Sequence, residues 1–123
     1  MIHEELTRKI LGACFEVSNE LGCGFVESVY ERALLIALAD AGLRAQSQVP
    51  LNVFFRDKVV GEFYADVVVE DTVLIELKAV KALVPEFLAQ VMNYLKATGI
   101  EVAFLVNFGQ PKLEYRRFGN NFQ

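Results

Sequence analysis

The sequence has few of the residues that build metal–thiolate or disulfide frameworks. It contains two cysteines, Cys14 and Cys23, and a single histidine, His3. A structural zinc site needs about four cysteine or histidine ligands, so this class of site is excluded. Two free thiols in a reducing cytoplasm are the simplest account of the cysteines. We therefore expect a cytoplasmic protein without a disulfide framework.

Long apolar runs are also missing from the sequence. None approaches the roughly 18–20 residues that a helix needs to cross a bilayer. The first six residues are acidic and lack the basic segment followed by an apolar one that marks a secretory leader. We therefore expect neither export nor a membrane partner.

Positive charge is scarce overall but unevenly spread. The net charge is −4, with −7 in residues 1–77 and +3 in residues 78–123. The balance argues against a general nucleic-acid coat protein. Lys112, Arg116 and Arg117 could still form a local basic face that binds phosphate, and ordinary solvated surface charges are the alternative.

Apolar residues are abundant for a chain of this size. They make up 54% of the 123 residues, and the length fits one domain covering 1–123. A small domain leaves much of its surface exposed, so part of the apolar surface is expected to lie against a partner. The composition therefore favours a homodimer.

Hydrophobic spacing predicts an α/β fold. Apolar residues recur every three to four positions in 6–21 and 26–41, which predicts two amphipathic helices separated by Gly22 and Gly24. Strands are predicted at 49–55, 59–63, 64–69 and 73–79, then a helix at 85–97 and strands at 100–108 and 113–118. The order α-α-β-β-β-β-α-β-β indicates a mixed β-sheet flanked by helices, with Pro50 on an edge strand and parallel neighbours around the third helix.

The hairpin from Asp66 to Lys78 carries the most informative charged residues. If residues 70–72 form a three-residue loop, Val69 pairs with Val73 and Asp66 falls opposite Glu76. Opposed side chains in a sheet have Cβ atoms about 4.5–5.5 Å apart. The strand pleat then places Lys78 on the same face as Glu76.

Two facing carboxylates need a positive charge between them. Lys78 could supply it in a plain surface ion cluster, and a divalent cation is the functional alternative. Oxygen ligands suit Mg²⁺, which takes one or two carboxylates, waters and phosphate oxygens. A metal would activate a water against a phosphodiester, and Lys78 would orient that water or stabilise developing charge.

Polar side chains on two predicted helices extend this candidate site. Glu27 lies in the first turn of the second helix, with Tyr30 one turn later on the same face. Gln90 and Tyr94 are at i and i+4 on the third helix, with Phe87 beside them. An exposed amide and a half-buried core ring are the structural alternatives for the last pair.

These residues together resemble a known family. Asp66 and the Glu76-Leu77-Lys78 strand, preceded by a helical Glu27, resemble the PD-(D/E)XK nuclease superfamily, whose fold is restriction-endonuclease-like. The Gln90-Val-Met-Asn-Tyr94 helix looks like the Q-x-x-x-Y element of its RecB-like members. The segment from Gly24-Phe-Val-Glu27-Ser-Val-Tyr30 to Leu34 and the later Asn107-Phe108-Gly109 are similar to the family named GxxExxY, assigned to that superfamily.

The resemblance implies a role for each matching residue. Asp66, Glu76 and the Leu77 carbonyl would bind Mg²⁺, with Mn²⁺ possible, and Glu27 would assist. Lys78 would be the catalytic lysine. The substrate-positioning residues would be Gln90, Tyr94 and Tyr30.

The implied function is Mg²⁺-dependent cleavage of DNA or RNA. The alternative is a catalytically inactive binding module or dimeric interaction subunit that keeps the fold. Two departures from the pattern bear on this choice. Ala65 replaces the proline of the superfamily name, and Phe87-Leu88 stand where a His-Glu pair is expected.

Overall fold

Three helices and five strands form the part of the chain that the structure, a computed structural model, describes, residues 3–119. In chain order they are α1 Glu4–Leu21, α2 Glu27–Asp40, β1 Ala45–Phe55, β2 Lys58–Val69, β3 Val73–Lys78, α3 Pro85–Thr98, β4 Val102–Asn107 and β5 Glu114–Gly119. Local signals explain the bounds of α3, because Pro85 occupies its first turn and Gly99 ends it in the left-handed conformation.

The strands form one mixed sheet in the order β1-β2-β3-β4-β5. The β3–β4 pair that flanks α3 is parallel, and the other three pairs are antiparallel. The predicted α/β class and element order are confirmed, and the segments predicted at 59–63 and 64–69 are the two halves of the continuous strand β2. Pro50 lies on β1, an edge strand, as expected.

The sheet has a hydrophobic core on each face. The alternating residues Val67, Ile75 and Phe104 face α1 and α2. Their neighbours in sequence, including Leu74 and Leu105, face α3. Because β3 and β4 are covered on both sides, their side chains are buried almost without interruption, which is why they read as continuous apolar runs. Within residues 3–119, no helix is both long and apolar enough to span a membrane.

The loop after β3 is fixed to the end of β4. The buried Asn107 side chain accepts a hydrogen bond from Val80 N at 3.0 Å and donates one to Val80 O at 2.9 Å. Gly109 allows the close approach of the two loops, since a Cβ atom there would lie 2.2 Å from Val80 O. This junction sets the path of the chain immediately beyond Lys78.

Candidate active site

The turn at residues 70–72 sets the register of the β2–β3 hairpin. Glu70 and Asp71 adopt positive φ angles of 52° and 54°, and Val69 pairs with Val73. The ladder continues to Val67 and Ile75, so the next opposed pair is Asp66 and Glu76. The register predicted from the sequence is confirmed.

Beyond Val67 and Ile75, carboxylates take the place of backbone partners. Asp66 N donates to Glu76 Oε1 at 3.1 Å, and Leu77 N donates to Asp66 Oδ2 at 2.8 Å. Each carboxylate is therefore anchored to the opposite strand through one oxygen. The other oxygen of each group is not used by these backbone bonds, and that of Asp66 accepts from Gln48 Nε2 at 3.4 Å.

Glu76 lies in an environment that disfavours its charge. Its relative exposure is 6%. Burial and, after it, the negative charge of Asp66 raise the pKa of Glu76 to about 8, while the Asp66 N–H and Lys78 act in the opposite direction. The folded protein therefore favours the neutral form of Glu76 more than an exposed glutamate would.

Lys78 ends β3 beside the two carboxylates. Its Nζ atom lies 4.3 Å from the centroid of the Phe87 ring, a cation–π contact. Among residues 3–119, Lys78 forms no ion pair within 4 Å. Its charge nevertheless lowers the pKa of both Glu76 and Glu27, so the ammonium lies within electrostatic reach of both.

Glu27 reaches the same region from the first residue of α2. Burial raises its pKa, Lys78 lowers it and Asp66 raises it. The Glu27 carboxylate therefore lies within electrostatic reach of Lys78 and Asp66. The backbone hydrogen bonds bring Asp66 and Glu76 together, and the role of Glu27 beside them stays a prediction.

Tyr94 and Gln90 approach the carboxylates from α3. Burial, followed by the charges of Glu76 and Asp66, raises the pKa of Tyr94, while a side-chain hydrogen bond with Gln90 lowers it. The Tyr94 ring stacks on Phe63 of β2, with centroids 3.7 Å apart and an interplanar angle of 9°. The phenol is therefore held in place near the site.

Tyr30 is not brought to this site. It is fully buried in the core under α1 and α2, and its ring stacks on Phe108 with centroids 4.8 Å apart. Its hydroxyl donates to Gly22 O at 2.6 Å and accepts from Phe25 N at 3.2 Å. The contacts of Tyr30 hold the loop before α2, so we do not retain it among the substrate-positioning residues.

Two further polar residues join the site. Gln48 of β1 donates from Nε2 to Glu31 Oε1 at 3.0 Å and to Asp66 Oδ1 at 3.4 Å. Burial raises the pKa of Glu31, the Gln48 hydrogen bond lowers it, and the charges of Asp66 and Glu27 raise it. Glu31 could have been found, because it follows Glu27 at i+4 on one helix face. Gln48 could not, because its position depends on a left-handed φ of 51°.

The oxygen atoms at the open end fit a hard divalent cation. No group of three or more His, Cys, Asp or Glu side chains within residues 3–119 is close enough to hold a metal, so the ligands would be two carboxylates and a backbone oxygen. In a strand the N–H and C=O of one residue point to the same neighbour. Leu77 N faces Asp66, so the Leu77 carbonyl is directed to that side as well. This set of oxygens suits Mg²⁺, which keeps several waters.

Comparisons with known proteins show the family and the fold of this chain. The family model of the PD-(D/E)XK nuclease superfamily matches residues 4–118. The crystal structure of SSO0001 aligns with 78% of this chain and 50% of its own chain, with a TM-score of 0.60 and 17% sequence identity. At that identity the likeness shows the fold alone, and this chain spans about half the length of that one. No curated protein matches the sequence.

Proposed function

The chain belongs to the PD-(D/E)XK nuclease superfamily, and from this premise we propose that it is a metal-dependent nuclease cleaving phosphodiester bonds of DNA or RNA. One observation carries the proposal. At the open end of the β2–β3 hairpin, Asp66 and Glu76 are each anchored through one oxygen to the opposite strand. Preorganised carboxylates at the end of a strand pair are the arrangement that metal-assisted phosphodiester hydrolysis needs.

Asp66, Glu76 and the Leu77 carbonyl would hold Mg²⁺ or Mn²⁺, and Glu27 would assist through its charge without being a direct ligand. A divalent cation bound there supplies Lewis-acid polarisation of the phosphate and a water of lowered pKa. The raised pKa of Glu76, caused by burial and then by the charge of Asp66, supports this assignment, because a bound cation would offset both effects.

Lys78 would act on the phosphate and the attacking water. Its ammonium makes no ion pair within 4 Å among residues 3–119 and is held over Phe87, so its three donors remain available. It would orient the water and stabilise charge that develops on the phosphate. Gln90 and Tyr94 would position the substrate from α3, where Tyr94 offers a hydroxyl near Glu76.

The finer relationship to the GxxExxY family is also a proposal. The spacing of Gly24, Glu27 and Tyr30 supports it, since each residue has a distinct place in the fold. Gly24 has a φ of 117° in the loop before α2, Glu27 lies by the carboxylates, and Tyr30 anchors the loop from the core. The expected homodimer stays a prediction, with an edge strand such as the uncharged β1, or the first helix α1, as the candidate surface.

A catalytically inactive binding module is the second candidate function. The observation in its favour is Phe87, whose ring lies against the Lys78 ammonium that a nuclease would use on the phosphate. An apolar ring at that place reduces the polar surface open to a substrate. Such a module would bind nucleic acid or a second copy without cleaving.

A cleavage assay decides between the two candidates. End-labelled single-stranded and double-stranded DNA and RNA would be incubated with Mg²⁺, with Mn²⁺ or with EDTA. The nuclease proposal expects metal-dependent cleavage of at least one substrate, with a loss of about 100-fold or more in Lys78→Ala, because removing one group that stabilises the transition state costs about that much. Lys9→Ala on the exposed face of α1 is the matched control and should cleave like wild type.

Cleavage that survives Lys78→Ala unchanged would point to a contaminating nuclease and defeat the assignment. A wild-type protein that binds these substrates but cleaves none of them with either metal would establish the binding-module function instead.

A further inference from the structure

An open groove of about 640 Å³ lies beside the ends of β4 and β5, away from the carboxylates. Lys81, from the loop after β3, contributes to one wall. Lys112 and Arg116 contribute two more cations, and Phe15 of α1 and Tyr115 of β5 contribute aromatic rings. The groove thus combines basic and aromatic side chains in a chain whose net charge is −4.

Two of the three cations of the groove, Lys81 and Lys112, are not neutralised by an ion pair within residues 3–119. Glu114 is the acidic residue in its lining, and its carboxylate accepts from Asn107 Nδ2 at 3.1 Å and lies 3.8 Å from Arg116 Nη2. Lys81 and Lys112 are exposed and form no ion pair within residues 3–119. Two unpaired ammonium groups in one groove complement a ligand that carries regularly spaced negative charges.

The aromatic residues narrow the class of ligand. The Phe15 and Tyr115 rings meet edge to face with centroids 6.1 Å apart, and they remain 38% and 37% exposed. The Tyr115 ring also packs edge to face on the buried Phe104 ring, with centroids 6.2 Å apart. This contact with the core holds the orientation of the Tyr115 ring. A fixed, partly exposed ring beside lysines is the arrangement with which proteins bind unpaired bases and the adjoining backbone.

The groove is joined to the candidate active site through a rigid loop junction. Lys81 follows Lys78 by three residues, so their Cα atoms lie within about 10 Å. The intervening Val80 is held through both backbone groups by Asn107, and Gly109 packs against it. Lys81 of the groove and Lys78 of the candidate active site therefore lie on one short, anchored segment of the chain.

We propose that this groove binds a single-stranded segment of nucleic acid. Lys81 and Lys112 contact backbone phosphates, and a base stacks against Tyr115. The inference rests on the proposed function for the identity of the polymer, and its own content is the place of binding and the single-stranded character of the ligand.

Fluorescence anisotropy in EDTA tests the proposal without cleavage. The probes are labelled single-stranded DNA and RNA of twelve nucleotides and a duplex of the same length, titrated with wild-type protein at several salt concentrations. The double variant Lys81→Ala/Lys112→Ala should raise the dissociation constant for the single strand at least tenfold. It should also reduce the slope of log K against log salt by about 1.4, since each single-strand phosphate contact contributes about 0.7. Lys9→Ala/Lys58→Ala removes the same charge elsewhere and should leave both values unchanged.

Tyr115 provides a second, independent measurement. Tyr115→Ala should weaken single-strand binding about 5-fold to 150-fold, and Tyr115→Phe should restore it, because stacking needs the ring and not the hydroxyl. Melting curves of both variants separate a loss of stacking from a loss of folding. Should Tyr115→Ala fail to fold, the lysine pair and Tyr115→Phe still decide the question.

Three results would overturn the inference. The first is no binding by wild type, the second is an equal effect of the control pair, and the third is tighter binding of the duplex with no response to Tyr115. Cleavage in Mg²⁺ is scored separately. If the groove variants bind more weakly and no protein cleaves, the groove proposal holds and the nuclease proposal fails. If the wild-type protein cleaves and the groove variants bind as tightly as wild type, the nuclease proposal holds and the groove proposal fails.

Discussion

The two ends of the β2–β3 hairpin are built from the same strands but satisfy their backbone groups differently. Near the turn, Val67 and Val69 pair in regular register with Ile75 and Val73, and all four side chains are buried. At the open end, carboxylate oxygens replace backbone partners. The turn end is therefore a stable frame, and the open end is the place where side chains become available to a ligand.

The open end also differs in electrostatics. The valines and isoleucine of the turn end stabilise the fold by burial, at roughly 1.5–3 kcal/mol for each side chain. Glu76, by contrast, is buried opposite another carboxylate, which raises its pKa to about 8. The open end thus lowers the stability of the fold, and the turn end raises it. Local destabilisation of this kind is typical of functional positions.

The largest effect is expected from damage to the frame. Ile75→Ala removes a fully buried side chain from the core under α1 and α2, so it should lower the free energy of unfolding by about 2–5 kcal/mol. Urea titration measures the loss. Val60→Ala, at a side chain that is 62% exposed, is the control and should change stability by less than about 0.5 kcal/mol. Similar losses at both positions would contradict the distinction between frame and surface.

A smaller effect is expected from protonation at the open end. Folded Glu76 keeps its proton up to a pH of about 8, whereas an unfolded glutamate loses it near 4.5. The folded state thus binds more protons between these values. The contribution of Glu76 to stability is therefore full below pH 4.5 and falls as the pH rises to about 8.

Glu76→Gln isolates that contribution. Its stability should exceed that of wild type at pH 8 by more than it does at pH 5, because the variant has no charge to bury. Urea titrations of both proteins at the two pH values give the comparison, and other titrating groups cancel in the difference. Parallel pH profiles for the two proteins would show that Glu76 titrates normally.

The frame could be predicted from the sequence, and the reason is local. The polar tip at residues 70–72 lies between two β-branched runs, so the loop length alone fixes the pairing of Val69 with Val73. The pleat then decides which residues share a face with Glu76. The helices could be predicted in the same way, from the spacing of their apolar residues. Pro85 and Gly99 mark the start and the end of α3.

The rest of the site depends on tertiary contacts that local patterns do not encode. Gln48 reaches Asp66 and Glu31 from a neighbouring strand with a left-handed backbone. The sequence spacing places Tyr30 on the same helix face as Glu27, but in the structure the Tyr30 ring is buried in the core beneath α2. The segments 59–63 and 64–69 read as separate strands, yet the long partner β1 keeps β2 continuous.

The smallest effect, and the one that tests the open end most directly, is stabilisation by a metal. A cation that binds only the folded protein raises the free energy of unfolding by about 1.4 kcal/mol at ten times its dissociation constant. For a domain of this size that corresponds to roughly 5 °C in the melting temperature. Wild-type protein should therefore melt a few degrees higher in millimolar Mg²⁺ or Mn²⁺ than in EDTA, as measured by calorimetry.

Asp66→Asn should abolish that shift while leaving the metal-free protein about as stable as wild type. The substitution removes the Asp66 charge that helps to raise the pKa of Glu76, yet it keeps an oxygen that can accept from Leu77 N. Asp71→Asn, in the turn at the other end of the hairpin, removes a charge that pairs with exposed Arg44 and should preserve the metal shift. If Lys78 already neutralised the carboxylates, the result would be the opposite. Metal would then change little and Asp66→Asn would be destabilising, because it would leave the ammonium without its partner.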